Sequence, residues 1–221
     1  MIRTTGLVLA ILAALTAWLI AAAPVDATQG LVQKILYVHV PCAFSAYLGF
    51  IVTGIGSGLY LARREERWDR LAIAGAEVGV LFCSLNIATG PIWAKATWGH
   101  WWAWDPRLTV TLLLWFIYLA YLLLRSFTEG SERTARFAAV YGLLGLLAIP
   151  LNYYAIELAG GAAMHPENLE QDSLGAGMRL PFWLSVLTGV AAFAHLLALR
   201  FDLENRRMRL QNPESAAVSG N

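Results

Sequence analysis

Two residue types in this chain could do chemistry, indole and imidazole. Trp98, Trp101, Trp102 and Trp104 put four indoles into seven residues, with His100 among them and Asp105 directly after. Tryptophan brings a large rigid π face and a single N–H donor, which suits either anchoring at a membrane interface or laying a planar ligand against the ring. Imidazole is the commonest metal ligand among side chains and a good axial ligand for haem iron. Three further histidines, His39, His165 and His195, are distant in sequence from the tryptophans. The spacing leaves the local conformation open: on a helix Trp98, Trp101, Trp102 and Asp105 share a face, while in an extended chain Trp98, His100, Trp102 and Trp104 do. Both arrangements make an aromatic platform. The competing reading of the segment is a plain interface belt.

Other chemistries find little support. Cys42 and Cys83 sit alone in apolar segments with no CxxC and no CxxCH, so they read as small buried hydrophobes, with neither a structural disulfide nor covalent haem attachment indicated. No GxxxxGK[ST] loop occurs, so any nucleotide-driven work must be done by another subunit.

The elements that must position these residues are membrane helices. With 58% hydrophobic and 14% charged residues and a mean hydropathy of +0.55, the 221-residue chain reads as an integral membrane protein. Crossing a ~30 Å hydrocarbon core takes roughly 20 apolar residues. Six segments qualify, near 5–23, 35–62, 71–93, 107–124, 137–158 and 182–201. The first resembles a signal peptide, but its apolar run is too long and its leading end carries one charge, so a retained helix is expected. The fold class expected is therefore all-α and polytopic, with residues 1–201 as one six-helix domain and 202–221 as a cytoplasmic tail, largely disordered from about Gln211 because it has too little apolar surface to bury.

Orientation comes from lysine and arginine. Arg3, Arg63, Arg64, Arg67, Arg70, Arg125, Arg133, Arg136, Arg200, Arg206, Arg207 and Arg209 fall on one side; only Lys34, Lys95, Arg107 and Arg179 fall on the other. Twelve against four predicts both termini inside. The tryptophan segment, about 93–107, then lies outside together with His39, His100 and His165, leaving His195 at the inner end. Asp105-Pro106 is a good helix start, with Asp as N-cap and Pro in the first helical position. Pro41, Pro91 and Pro150 fall in or near apolar segments, where kinks are expected. Gly54 and Gly58 form a GxxxG that suggests close helix packing.

The strings Thr89-Gly90-Pro91-Ile92-Trp93 and Trp98-Gly99-His100-Trp101-Trp102-Ala103-Trp104-Asp105-Pro106-Arg107-Leu108-Thr109 resemble the tryptophan-rich WWD signature of haem-handling proteins in cytochrome c maturation. Leu36-Tyr37-Val38-His39-Val40-Pro41 resembles the ligand-bearing segment of the same proteins, and the length with six helices is similar to the CcmC family. The resemblance implies a bacterial inner-membrane protein that holds haem b non-covalently, as transient cargo, at the periplasmic face. It maps two axial ligands onto His39 and His165, and the platform onto Trp98, Trp101, Trp102, Trp104 and Asp105. By the same resemblance, haem is delivered with one vinyl edge exposed to a membrane-anchored haem chaperone (CcmE). An ATP-binding cassette pair (CcmA and CcmB) and a small single-helix subunit (CcmD) complete the assembly in the bilayer, and no nucleic-acid partner is expected. Ala162-Ala163-Met164-His165-Pro166 departs from the family pattern, since it lacks a preceding tryptophan-bearing stretch and a following glutamine. His100 falls where the motif assigns no role.

Two acids fall in apolar segments, where an unpaired carboxyl is costly. Glu157 could hold an outer arginine such as Arg179 or position the loop of His165; Glu77 is either protonated or paired with a neighbouring helix or subunit. Two other functions fit the same sequence: a b-type cytochrome redox subunit, or a haem-free subunit of an ABC-type exporter with the tryptophans as interface belt.

Overall fold

A computed structural model describes residues 2–127, 131–161, 163–165 and 174–211. Among these there are six helices long and apolar enough to cross a membrane. They are α1 (Ile2–Ala22), α2 (Leu36–Arg63), α3 (Glu66–Trp98), α4 (Pro106–Phe127), α5 (Glu132–Tyr153) and α7 (Arg179–Gln211), with a single turn, α6 (Ala155–Leu158), after α5 and a 3-10 turn (Leu31–Ile35) leading into α2. The all-helical class and the six spans agree with the sequence reading. Boundaries differ at several places, among them the end of α3, which runs on to Trp98, and the start of α5, which begins at Glu132. α3 begins at Glu66 rather than 71, because Arg64 takes the left-handed conformation (φ 57°) and reverses the chain within two residues. The fifth segment stops at Tyr153 and resumes as the short α6. The last helix runs on to Gln211, so residues 202–211 of the expected tail are helical, and 212–221 lie outside the described residues.

α2 and α3 form the antiparallel centre, with α5 and α7 against α2, α4 against α3 and α5, and α1 outermost on α7. The central pair can approach closely because it meets at glycine: a Cβ on Gly49 would lie 2.5 Å from the Gly79 Cα and 2.8 Å from the Gly75 carbonyl oxygen. In a bilayer, where lipid tails are as apolar as leucine, such close van der Waals approach is a main source of helix association. The expected GxxxG acts elsewhere. Gly54 faces Leu146 on α5, with 2.7 Å from an added Cβ to the Leu146 Cβ, while Gly58 has ordinary room. The core between α2, α3, α4 and α5 is aromatic; Phe50 and Tyr118 are stacked at 3.9 Å and 4°, and the Tyr118 hydroxyl donates to the Phe50 carbonyl (3.1 Å).

The two ends differ in charge. At the arginine-rich end Arg125 on α4 pairs with Asp69 on α3 (2.5 Å), Arg70 donates to Asn205 on α7 (2.7 Å), and Arg200 on α7 bridges Glu77 on α3 and Glu204. Glu77 thus has a partner on a neighbouring helix, the second of the two possibilities open in sequence. The opposite end collects the termini of α1, α3 and α5 and the starts of α2, α4 and α7, and it carries the tryptophan segment.

Candidate functional site

His39 lies in the first turns of α2 and is gripped by three side chains of α3, Asn86, Thr89 and Trp93, spaced i, i+3 and i+7 so that they share a face. Its Nδ1 is 2.9 Å from Thr89 Oγ1, its Nε2 is 3.2 Å from Asn86 Nδ2, and Asn86 Nδ2 also donates to the His39 carbonyl (3.0 Å). Trp93 meets the ring edge-on at 5.9 Å and 83°. Gly90 makes room for it, since a Cβ there would stand 3.3 Å from His39 Cε1. Trp93 is braced in turn. Its indole N–H donates to Gln29 Oε1 (2.8 Å), in a loop built on Asp26, whose Oδ1 accepts from the N–H groups of Thr28 (2.8 Å) and Gln29 (2.7 Å). Those N–H groups, Gln29 first, hold the Asp26 carboxyl below the ordinary aspartate range.

The tryptophan segment is neither a continuous helix nor an extended strand. α3 ends on Trp98, and Gly99 turns the chain with φ 83°, its N–H donating to the Lys95 carbonyl (3.2 Å); only glycine takes this left-handed helix end without strain. The chain then crosses to α4. Trp98 and His100 lie 6.2 Å apart and tilted, and Trp102 and Trp104 meet edge-to-face at 5.8 Å. Trp101 and Trp104 are 59% and 77% exposed, so the faces available to a ligand or lipid are theirs. His100 Nδ1 and Trp102 Nε1 are buried without a hydrogen-bond partner among the described residues.

Asp105 ties this segment to the rest of the site. It is 4% exposed, and its groups accept four N–H donors. Oδ1 takes Arg107 N–H (3.0 Å) and the carbonyl takes Thr109 N–H (2.9 Å), which is the helix start expected from Asp105-Pro106. Oδ2 takes Met164 N–H (2.7 Å) and His165 N–H (3.1 Å). One carboxylate therefore caps α4 and pins the loop that carries His165. An open cleft of about 380 Å³ lies along this junction, lined by Ala103, Trp104, Asp105, Pro106, Ala163 and Met164. The start of α4 is held to the end of α5 by Arg107 Nη2 donating to the Tyr153 carbonyl (2.7 Å) and by Asn152 Nδ2 donating to the Arg107 carbonyl (3.2 Å) and Thr111 Oγ1 (2.9 Å). The Tyr47 hydroxyl of α2 donates to Asn152 Oδ1, closing the link back to the helix of His39.

These anchors put the start of α2 with His39 and the loop of His165 at the same end of the bundle, although 126 positions separate the two histidines in sequence. His195 is at the other end, accepting or donating to Thr5 Oγ1 (3.0 Å) between α1 and α7. Glu157 is exposed on α6 and makes no ion pair among the described residues, where Arg179 Nε donates to the Leu174 carbonyl (3.2 Å), so of the two roles open to Glu157 in sequence the pairing with Arg179 is not made there. No group of three or more His, Cys, Asp or Glu able to hold a bare metal ion occurs among the described residues. Two imidazoles beside aromatic faces are a donor set suited to a metal whose in-plane ligands come from its own macrocycle.

The family model described as Heme exporter protein C matches residues 1–215. The chain belongs to the haem exporter protein C family. It is 33% identical over 190 residues to the haem exporter protein C of Paracoccus denitrificans, covering 85% of this chain and 79% of that one. It is 31% identical over 206 residues to the haem exporter protein C of Haemophilus influenzae, covering 91% and 83%. A ccmC-like mitochondrial cytochrome c biosynthesis protein of Marchantia polymorpha is 32% identical over 188 residues, covering 85% and 78%. For this member of the haem exporter protein C family, sequence reasoning missed Asn86, Thr89 and Trp93 as neighbours of His39. Their i, i+3, i+7 spacing was the available signal, hidden because it lies inside an apolar helix where a polar stripe reads as packing.

Proposed function

We propose that this chain binds haem b at the outer face of a bacterial inner membrane and hands it to a membrane-anchored haem chaperone during cytochrome c maturation. His39 and His165 take the iron from opposite sides, Trp98, Trp101, Trp102 and Trp104 cover the porphyrin, and one vinyl edge stays open to the chaperone, on which the covalent bond is made. The observation that carries this reading is the Asp105 carboxylate, which accepts from both α4 and the His165 backbone and so couples the tryptophan segment to the loop of the second histidine. The relatives' names, haem exporter protein C, support haem as the cargo. The family name supports an assembly with other subunits, which the sequence resemblance fills with ATP-binding cassette subunits (CcmA, CcmB) and a small single-helix subunit (CcmD), any ATP hydrolysis being the partners'. The arginine bias supports inner termini and an outer site.

The haem supplies the iron and its in-plane ligands; the protein supplies axial nitrogen, aromatic cover and an open edge. A ligand on a loop suits exchange better than permanent redox service. The test is to purify the chain with haem, add the chaperone in nanodiscs, and follow the Soret band of each. Haem should move onto the chaperone. A chain that cycles reversibly between ferric and ferrous haem and retains it in the presence of chaperone would instead be a b-type cytochrome.

A further inference from the structure

We propose that Thr89 and Asn86 are positioning residues that decide which nitrogen of His39 is offered to a ligand and keep that nitrogen exchangeable. Asn86 Nδ2 lies 3.0 Å from the His39 carbonyl oxygen, which can only accept, so the amide end at this point is its NH2. The same NH2 stands 3.2 Å from His39 Nε2. A nitrogen facing a donor must accept, so Nε2 carries the lone pair and the ring proton is on Nδ1. That proton then points at Thr89 Oγ1, 2.9 Å away, and Thr89 accepts it. Thr89 is free to accept because its own hydroxyl proton goes backward along α3, to the carbonyls of Leu85 (2.9 Å) or Asn86 (3.1 Å). The set of bonds is consistent in one direction only. Reversing the tautomer would set Nε2–H against the Asn86 amide donor.

This is the arrangement metal-binding histidines use, with one ring N–H donated to a fixed acceptor so that the other nitrogen is aimed and its basicity raised. Here the acceptor is a threonine in a helix, and the aimed nitrogen is also held by an amide. A metal approaching Nε2 replaces the Asn86 bond, while Asn86 keeps its second bond to the His39 carbonyl and so stays in place to return. The bond that is replaced opposes tight retention, which suits a site that gives its cargo away. That the incoming metal is haem iron rests on the function proposed above; the tautomer does not.

The experiment uses the full-length chain in nanodiscs with 15N-labelled histidine, the His39 signals being assigned by their loss in His39→Gln. In wild type and in Thr89→Ser, His39 is expected to be protonated on Nδ1 and bare on Nε2, and Thr89→Val, which keeps the shape and loses the hydroxyl, should lose that single tautomer while the His195 signals stay put. A wild-type ring protonated on Nε2, or a Thr89→Val spectrum identical to wild type, overturns the assignment. Titration with ferric haem gives the second readout: Thr89→Val should bind roughly 10-fold more weakly, and Asn86→Ala should bind more tightly and release more slowly. Equal or weaker binding by Asn86→Ala refutes the exchange role. A wild-type chain that binds no haem refutes the proposed function instead and leaves the tautomer result standing.

Discussion

Asp105→Asn is the substitution that separates support from ligation most sharply. It preserves size and shape but replaces a carboxylate, whose two oxygens serve Arg107 N–H on one side and Met164 and His165 N–H on the other, by one carbonyl oxygen and one NH2. Whichever way the amide turns, its NH2 meets a backbone donor. With the carbonyl toward the loop, the cap of α4 is lost at about 1 kcal/mol, and the two loop bonds fall from charge-assisted to neutral, a loss on the order of 1 to 2 kcal/mol. With the carbonyl toward α4, the loop loses both bonds. In either state the docked loop is destabilised by about 1.4 kcal/mol or more, a factor of roughly 10 in its population. Hydrogen–deuterium exchange on the full-length chain in nanodiscs reads this without any haem: the amides of Met164 and His165 should exchange about tenfold faster. Haem retention should weaken by a similar factor through misplacement of His165. Unchanged exchange at Met164 and His165 in the variant would show that the carboxylate does not hold the loop, and the coupling argued here would be wrong.

Three further outcomes are expected. Trp101→Ala with Trp104→Ala, removing the two exposed indoles, should leave insertion intact and weaken haem retention by an order of magnitude or more, at about 1 kcal/mol per lost ring face; an unchanged Soret titration would return these rings to an interface belt. Gly49→Ala should lower the thermal midpoint of the detergent-solubilised chain, since its Cβ meets the Gly79 and Gly75 backbone, an overpacking cost of about 1–3 kcal/mol, whereas Gly58→Ala, with Leu143 3.7 Å away, should be tolerated. Reporter fusions at the termini and near Arg64 and Arg133 should read as cytoplasmic and those near Trp101 and His165 as periplasmic; a cytoplasmic signal at Trp101 would remove the geometric basis for outer delivery.

Much of the fold is legible because a membrane chain must satisfy its backbone within each segment, so apolar length alone reports helices. What length cannot report is where a helix stops. The extra turn-length at Glu66 and the continuation past Phe201 are stabilised by contacts between helices, the Arg125–Asp69 ion pair and the Arg70–Asn205 hydrogen bond, that no local pattern contains. At the site, the Asp105-Pro106 helix start was legible from capping chemistry. The second job of Asp105 was not, because the Met164 and His165 N–H groups it holds are 59 and 60 residues away. Glu157 falls in an apolar segment yet is exposed, because the break at Tyr154 ends the long helix before reaching it.

The central claim is that His39 and His165 act as a pair on one iron, and the spectra of the four single His→Ala variants test it most directly. Two imidazoles make a six-coordinate centre, so His39→Ala and His165→Ala should each shift the Soret band and lose haem on washing, and added imidazole should fill the vacated position and restore the spectrum in part. His100→Ala and His195→Ala should keep the wild-type spectrum. An imidazole-rescued loss in His100→Ala together with a wild-type spectrum in His165→Ala would contradict the pairing and move the second ligand into the tryptophan segment.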